Sequence, residues 1–236
     1  MFDFTLNNNP NVTKLHIGNE QTPLLIIDDF ANQPADFISF AGDGARFKAD
    51  RKNYYPGKRL LTPNIYNEQL CRKYISLLKS TFGFDDACCA KTLFSALAIS
   101  DLAPKQLKPM QMLPHFDTTH DNQIAVVHYL SSAEHGGTSF YQHRSSKFET
   151  ITEQRLVSYG RQLKKEAMAN QIHKAPSYMN GSNAMFERIH AVEAKINRAV
   201  IYPSNLLHSG DINPLHGLSS KPLNGRLTIG SLISVV

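Results

Sequence analysis

The chain has 236 residues, 42% hydrophobic and 19% charged, a composition that excludes a disordered or low-complexity protein and suits a single domain with its own core. The net charge of +5 is spread thinly: Arg51, Lys52, Lys58 and Arg59 form the densest basic stretch, no nucleic-acid-binding motif accompanies it, and no apolar run nears the roughly 18 residues of a membrane span. Cys71, Cys88 and Cys89 make neither a disulfide framework nor a CxxC pair, and the opening MFDFTLNNNP lacks a basic-then-apolar leader. A reducing, cytoplasmic setting is therefore expected, with neither nucleic acid nor membrane as a partner.

In chain order, TPLLIIDDF over 22–30 predicts a short buried strand ended by two aspartates. Residues 34–40 predict a helix opened by Pro34, with Asn32 as its cap. Tyr55-Pro56-Gly57 signals a turn. Leu70, Tyr74, Leu77, Leu78 and Phe82 recur at spacings of three and four, which predicts one amphipathic helix over 67–82. Residues 92–100 read as a strand.

The second half changes character. Short β-like runs at 124–130, 138–142, 199–202 and 227–236 are separated by Gly136-Gly137, Pro203-Ser204 and Asn224-Gly225. Such punctuation predicts an antiparallel sandwich or barrel. Residues 148–170, rich in Glu, Gln, Lys, Leu and Ala, predict a helical insertion. The reading is an α+β chain forming one domain over 1–236: an α/β support region over 1–104 and an all-β core over 105–236.

Pro114-His115-Phe116-Asp117 carries the chemistry. Residues i and i+2 of an extended segment share a side, so an imidazole and a carboxylate stand together. A further histidine from a neighbouring strand would complete a two-histidine, one-carboxylate facial set, leaving the opposite face of a metal open. AVIYPSNLLHSG over 199–210 supplies the candidate, His208, after an apolar strand and a turn; His216 is the alternative. Farther on, Arg226 and Thr228 share one strand face, and a guanidinium with a hydroxyl suits a ligand carboxylate. The other histidines have plainer readings. His128 should face away from the site, while His135 and His143, with Tyr141 and Arg144, could line or support it. Cys88-Cys89 reads as a buried pair of small apolar residues.

The ordered series resembles the Fe(II)- and 2-oxoglutarate-dependent dioxygenases, most closely their prolyl-hydroxylase-like branch. His115, Asp117 and His208 match that superfamily's metal ligands, and Arg226 and Thr228 match the basic residue and hydroxyl of its last core strand. VHYLS over 127–131 resembles a core strand whose tyrosine, here Tyr129, helps bind the distal carboxylate. EHGGTSF over 134–140 and LIIDDF over 25–30 match further stretches. The stretch Asn197-Arg198, Tyr202-Pro203, His208 is similar to a bacterial family of unassigned function within the superfamily.

The resemblance implies a double-stranded β-helix (a jelly-roll, cupin-like core) with N-terminal helices packed outside. It also implies Fe(II) as cofactor, 2-oxoglutarate as co-substrate, and oxidation of a small molecule or peptide with release of succinate and carbon dioxide. Asp117 favours hydroxylation, since related halogenating enzymes lack the carboxylate ligand. The interval from His208 to Arg226 is longer than is usual for the superfamily, so 211–223 is expected to be an extra loop bordering the site, mobile without substrate and shared with residues near Arg144. Two alternatives remain: a cupin-like metalloenzyme that does not use 2-oxoglutarate, and a non-catalytic binding module on an oxygenase fold.

Overall fold

A computed structural model describes residues 1–42, 46–49 and 54–236; Arg51 and Lys52 lie outside the described residues. The first part of the chain runs β1 (Asn11–Ile17), β2 (Thr22–Asp28), α1 (Pro34–Ala41), β3 (Lys48–Ala49), β4 (Gly57–Leu61), α2 (Asn64–Lys73), α3 (Ile75–Phe82) and β5 (Ala90–Ser100). It continues through β6 (Gln123–Tyr129), β7 (Thr138–His143), α4 (Glu153–Ala169), β8 (Phe186–Val192), β9 (Arg198–Pro203), β10 (His208–Gly210) and β11 (Leu227–Val235). No helix among the described residues is long and apolar enough to cross a membrane.

The strands form two antiparallel sheets. The larger has the order β1-β2-β9-β6-β11-β5-β4-β3, and the smaller β10-β7-β8. Strands from both halves of the chain share the larger sheet: β2 pairs with β9, and β5 with β11. Period-two alternation sorts its faces. Leu25, Ile27, Leu97, Ile99, Ile124, Val126, Ile201 and Ile229 point outward and pack with Phe37, Tyr66, Leu70 and Leu78 of the helices. On the other face, Leu24, Ala125, Tyr129, Val200 and Tyr202 meet Phe140 and Val192 of the small sheet. The two sheets thus enclose one apolar layer, and α1–α3 cover the outside of the larger sheet. The helix α4 covers the outside of the smaller one, where Tyr159 and Leu163 pack with Tyr141 and Phe186.

Local chemistry explains where sequence and structure differ. The helix expected over 67–82 is two helices joined at Tyr74, whose backbone sits at φ −107° and ψ 10°. That break lets the Tyr74 ring stack on Phe30 at 5.3 Å and its hydroxyl donate to the Asn7 carbonyl at 2.9 Å. Asn32 is not the cap of α1. Gln33 holds that position, and Asn32 donates to Thr5 Oγ1 and the Leu6 carbonyl. The insertion helix starts at Glu153, because 149–151 run alongside 205–207: Leu207 N–H donates to Glu149 O, and Ile151 N–H to Asn205 O. Cys88 and Cys89 are exposed, the opposite of the buried pair expected; both N–H groups donate to the Val236 carbonyl.

Candidate active site

His115, Asp117 and His208 converge: one ligand-type atom from each lies within 4.8 Å of the other two. His115 and His208 meet through an isolated antiparallel bridge, and their rings lie 4.3 Å apart. The Asp117 N–H donates to the Ser204 carbonyl at 2.8 Å, while Phe116, between the two candidate ligands, turns away towards Tyr159 and the α4 layer. The i, i+2 geometry therefore holds, although the segment is a single bridge rather than a full strand.

The second hydrogen bond of His208 fixes its tautomer. Nδ1 lies 2.9 Å from the Leu206 carbonyl, which can only accept, so Nδ1 carries the proton and Nε2 keeps its lone pair. Nε2 faces Asp117 Oδ2 at 3.9 Å, and the Tyr202 ring stands edge-on to the imidazole at 4.8 Å. His208 is buried, whereas His115 and Asp117 keep solvent access, so the cluster is open on one side. Desolvation by the surrounding protein holds the His115 imidazole below its usual pKa, and its electrostatic coupling to His208 and to Arg59 adds to this. Neutral imidazoles beside a carboxylate are the donor set that a first-row divalent metal takes, and the open side leaves coordination positions for other ligands.

Arg226 lies beside this cluster. His208 and Gly210 share one face of β10, about 6.6 Å apart along the strand. A side-chain carbon on Gly210 would sit 3.4 Å from Arg226 Nη2, so the guanidinium lies over that glycine. Arg226 is 5% exposed, and its Nε and Nη2 donate to the carbonyls of Gly136 and Gly137 at 3.0 Å each. No carboxylate pairs with it among the described residues. Nearby Asp211 is occupied by Ser139, and burial raises its pKa. A buried guanidinium bonded only to neutral carbonyls still favours an anion. Thr228 and Tyr129 are direct cross-strand partners, and the Tyr129 hydroxyl donates to Thr138 Oγ1 at 2.7 Å. Burial pushes the Tyr129 phenol up to about 12, so it stays a neutral donor.

The remaining sequence candidates lie elsewhere. His216 is exposed and outside the cluster. His143 is buried between Ser146 and Glu166 under α4, and Tyr141 packs in that same layer. His135 bonds Ser132, and Arg144 is engaged by Asn183 and Glu187. Within 211–223, Ile212 is buried, Ser219 N–H donates to Ser100 O, and Gly217 O accepts from Arg226 N–H. The short strand β4, which carries Arg59, has no apolar run in the sequence to announce it. Asn197, part of the family-like stretch in the sequence, has a structural role: its Oδ1 accepts from Ala31 N–H at 2.8 Å and lies 3.2 Å from His128 Nε2. A left-handed asparagine at φ +67° gives no periodic signal.

Two solved structures share this fold. One is the non-heme alpha ketoglutarate dependent epimerase SnoN from nogalamycin biosynthesis, with TM-score 0.51 and 9% identity over 92% of this chain and 80% of that one. The other is the non-heme alpha ketoglutarate dependent carbocyclase SnoK from the same biosynthesis, with TM-score 0.50 and 11% identity over 92% of this chain and 81% of that one. The class is therefore that mixed α/β fold with antiparallel sheets. Within it, the chain belongs to DUF6445, a family of unknown function, whose model matches residues 8–233. No protein of curated function matches the sequence significantly.

Proposed function

We propose that this protein is an Fe(II)- and 2-oxoglutarate-dependent oxygenase with a double-stranded β-helix core, of the prolyl-hydroxylase-like arrangement, hydroxylating a substrate other than nucleic acid. The observation that carries this reading is the placement of Arg226 over Gly210, two residues from His208 on the same strand face. A short dicarboxylate could then reach from the His115–Asp117–His208 cluster to a buried cation. The dependence of SnoN and SnoK on alpha ketoglutarate supports it. So does Asp117, which completes the two-histidine, one-carboxylate donor set.

In this reading His115, Asp117 and His208 hold Fe(II). Bound Fe(II) with 2-oxoglutarate would supply oxidation coupled to decarboxylation, releasing succinate and carbon dioxide. Arg226 binds and orients the distal carboxylate of the co-substrate, held in place by the Gly136 and Gly137 carbonyls. Thr228 contributes a hydroxyl beside it. Tyr129, neutral and fixed by Thr138, walls that end of the site. The Leu206 carbonyl keeps His208 in the tautomer that presents Nε2. Tyr202 and Phe140 exclude water behind His208.

The test is direct. Protein loaded with Fe(II) without oxygen should bind 2-oxoglutarate in calorimetry, and with oxygen and candidate substrates it should form succinate. Metal binding without any 2-oxoglutarate binding would overturn the reading in favour of a cupin-like metalloenzyme.

A further inference from the structure

We propose that Gly230 is the floor of the substrate pocket and sets how deep a substrate can enter, and that the part of the substrate presented to the metal cluster is an uncharged hydrocarbon segment. This rests on the reading of His115, Asp117 and His208 as the reaction centre.

Glycine is a costly residue in the middle of a strand, so its presence there asks for a reason. Elsewhere in this protein the reason is steric. An added Cβ would lie 1.9 Å from the Ile99 carbonyl oxygen at Gly57 and 3.4 Å from Arg226 Nη2 at Gly210. Gly230 has neither constraint. Its backbone is outside the left-handed region, and an added Cβ would meet nothing within 4 Å among the described residues. Neither conformation nor packing within the protein demands glycine. What remains is the space itself, and a glycine that leaves space on a strand marks a place where a ligand comes close to the main chain.

The register puts that space at the site. β11 lies inside the large sheet, between β6 and β5. Ile229 and Ile233 point into the helix-side core, so Thr228, Gly230 and Leu232 face the other way. The small sheet stacks over this face in matching order. Ile189 of β8 lies against the β1–β2 turn at Gly18, and Phe140 of β7 lies 4.9 Å from Tyr202 of β9. β10 follows, and the His115 segment is bonded to its far edge, so that segment continues towards β11. Along the strands, Tyr202, which touches His208, pairs with Ala125, and Ala125 with Leu232. Arg226 and Thr228 stand at the other end. Gly230 is midway, about 6.6 Å along the strand from both Thr228 and Leu232. The space over it therefore opens between the metal cluster and the proposed co-substrate clamp.

The lining states the chemistry. Gly230 pairs with Val127 on one side and Ala96 on the other. Gly230, Val127 and Leu232 keep partial exposure although they sit on interior strands, while neighbouring Ala96, Ala98 and Ala125 are buried. The opening is thus narrow and bounded by aliphatic groups. The charged residues of this face stand in other rows: Arg59 lies over the Tyr55 and Phe94 rings, and Arg226 is on the Gly136 and Gly137 carbonyls. A charged group seated on this floor would lose its hydration without gaining a partner, whereas a hydrocarbon gains by leaving water.

The test uses full-length protein loaded with paramagnetic Mn(II), with Zn(II) as the diamagnetic control, and saturating 2-oxoglutarate. The proton lines of benzyl alcohol, benzenesulfonate and benzyltrimethylammonium report binding beside the metal by their Mn(II)-dependent broadening. Benzyl alcohol should be broadened at least about fivefold more than either charged probe. Gly230→Leu, which fills the space, should weaken benzyl alcohol binding at least about tenfold, and Gly230→Ala should lie between that variant and the parent. Affinities for Mn(II) and 2-oxoglutarate should stay unchanged in both. Broadening of a charged probe equal to that of benzyl alcohol would overturn the proposal, as would a Gly230→Leu protein that broadens benzyl alcohol like the parent. A Gly230→Leu protein that loses 2-oxoglutarate would also overturn it, because the space would then belong to the co-substrate. If Gly230→Leu does not fold, Gly230→Ala decides, since its methyl group meets no protein atom; broadening equal to the parent's would refute the floor. If the parent binds no 2-oxoglutarate but keeps Gly230-dependent broadening of benzyl alcohol, the oxygenase reading falls and the apolar pocket stands.

Discussion

His115 and His208, 93 positions apart, exchange both backbone hydrogen bonds: His115 N–H to His208 O at 2.9 Å, and His208 N–H to His115 O at 2.8 Å. The candidate ligands are thereby fixed by main chain, independently of their side chains. His208→Ala should therefore keep the fold while losing metal. The melting temperature without metal should move little beyond the loss of the Tyr202 contact, and Ni(II) titration should show no tight site. Metal affinity equal to that of the parent would remove His208 from the set.

Arg226 has two roles that different measurements separate. Its guanidinium satisfies two carbonyls and faces the proposed co-substrate space. Arg226→Ala should weaken 2-oxoglutarate binding by about 2–5 kcal/mol and leave Ni(II) affinity unchanged. It should also destabilise the fold by about 1–3 kcal/mol, because the Gly136 and Gly137 carbonyls lose their donors. Unchanged 2-oxoglutarate affinity with lowered stability would make Arg226 purely structural.

The sequence made the site legible where the signal was local. Period-two alternation announced His115 with Asp117 and Arg226 with Thr228, because each pair is read within three residues. The large core strands were equally visible as apolar runs. Edge strands were not: β1 is mostly exposed, and β8 carries Glu187, Arg188 and His190 between its apolar ends. With little apolar surface to bury, they leave little pattern. The break at Tyr74 was hidden because the 3–4 spacing continues through it, and tertiary contacts to Phe30 and Asn7 decide the geometry. The short β4 gave no run, so Arg59 was counted only as part of a basic stretch.

Gly136 links the turn to the proposed clamp. Its φ is +99°, and an added Cβ would lie 1.6 Å from the Asp211 carbonyl oxygen. Gly136→Ala should cost about 3 kcal/mol or more, since the 211 segment must move and the residue is strained. The Gly136 carbonyl holds Arg226, so 2-oxoglutarate affinity should fall as well, although the substituted residue touches no ligand. Denaturant unfolding and calorimetry on the same protein check both; a stable variant with parental affinity would contradict this account.

His128 lies on the opposite side of the large sheet from the site, fully buried among Phe30, Phe37 and Tyr66. Asn197 Oδ1 accepts from its Nε2–H, which leaves Nδ1 unprotonated and without a hydrogen-bond partner among the described residues. Burial lowers its pKa from 6.5 to about 4, only partly offset by the Asn197 bond. Above pH 6.5 both folded and unfolded states hold the neutral ring, and the protein keeps its full stability. As pH falls below that, the unfolded chain takes up a proton that the folded protein refuses, so stability is lost down to about pH 4, where the folded ring also titrates. Between pH 7.5 and pH 5 this one group should remove about 2 kcal/mol. His128→Gln keeps an N–H for Asn197 and cannot titrate. Urea unfolding should therefore show the parent losing about 2 kcal/mol more than the variant over that interval. Parallel pH profiles for the two proteins would mean that His128 is protonated, or reachable by solvent, in the native state.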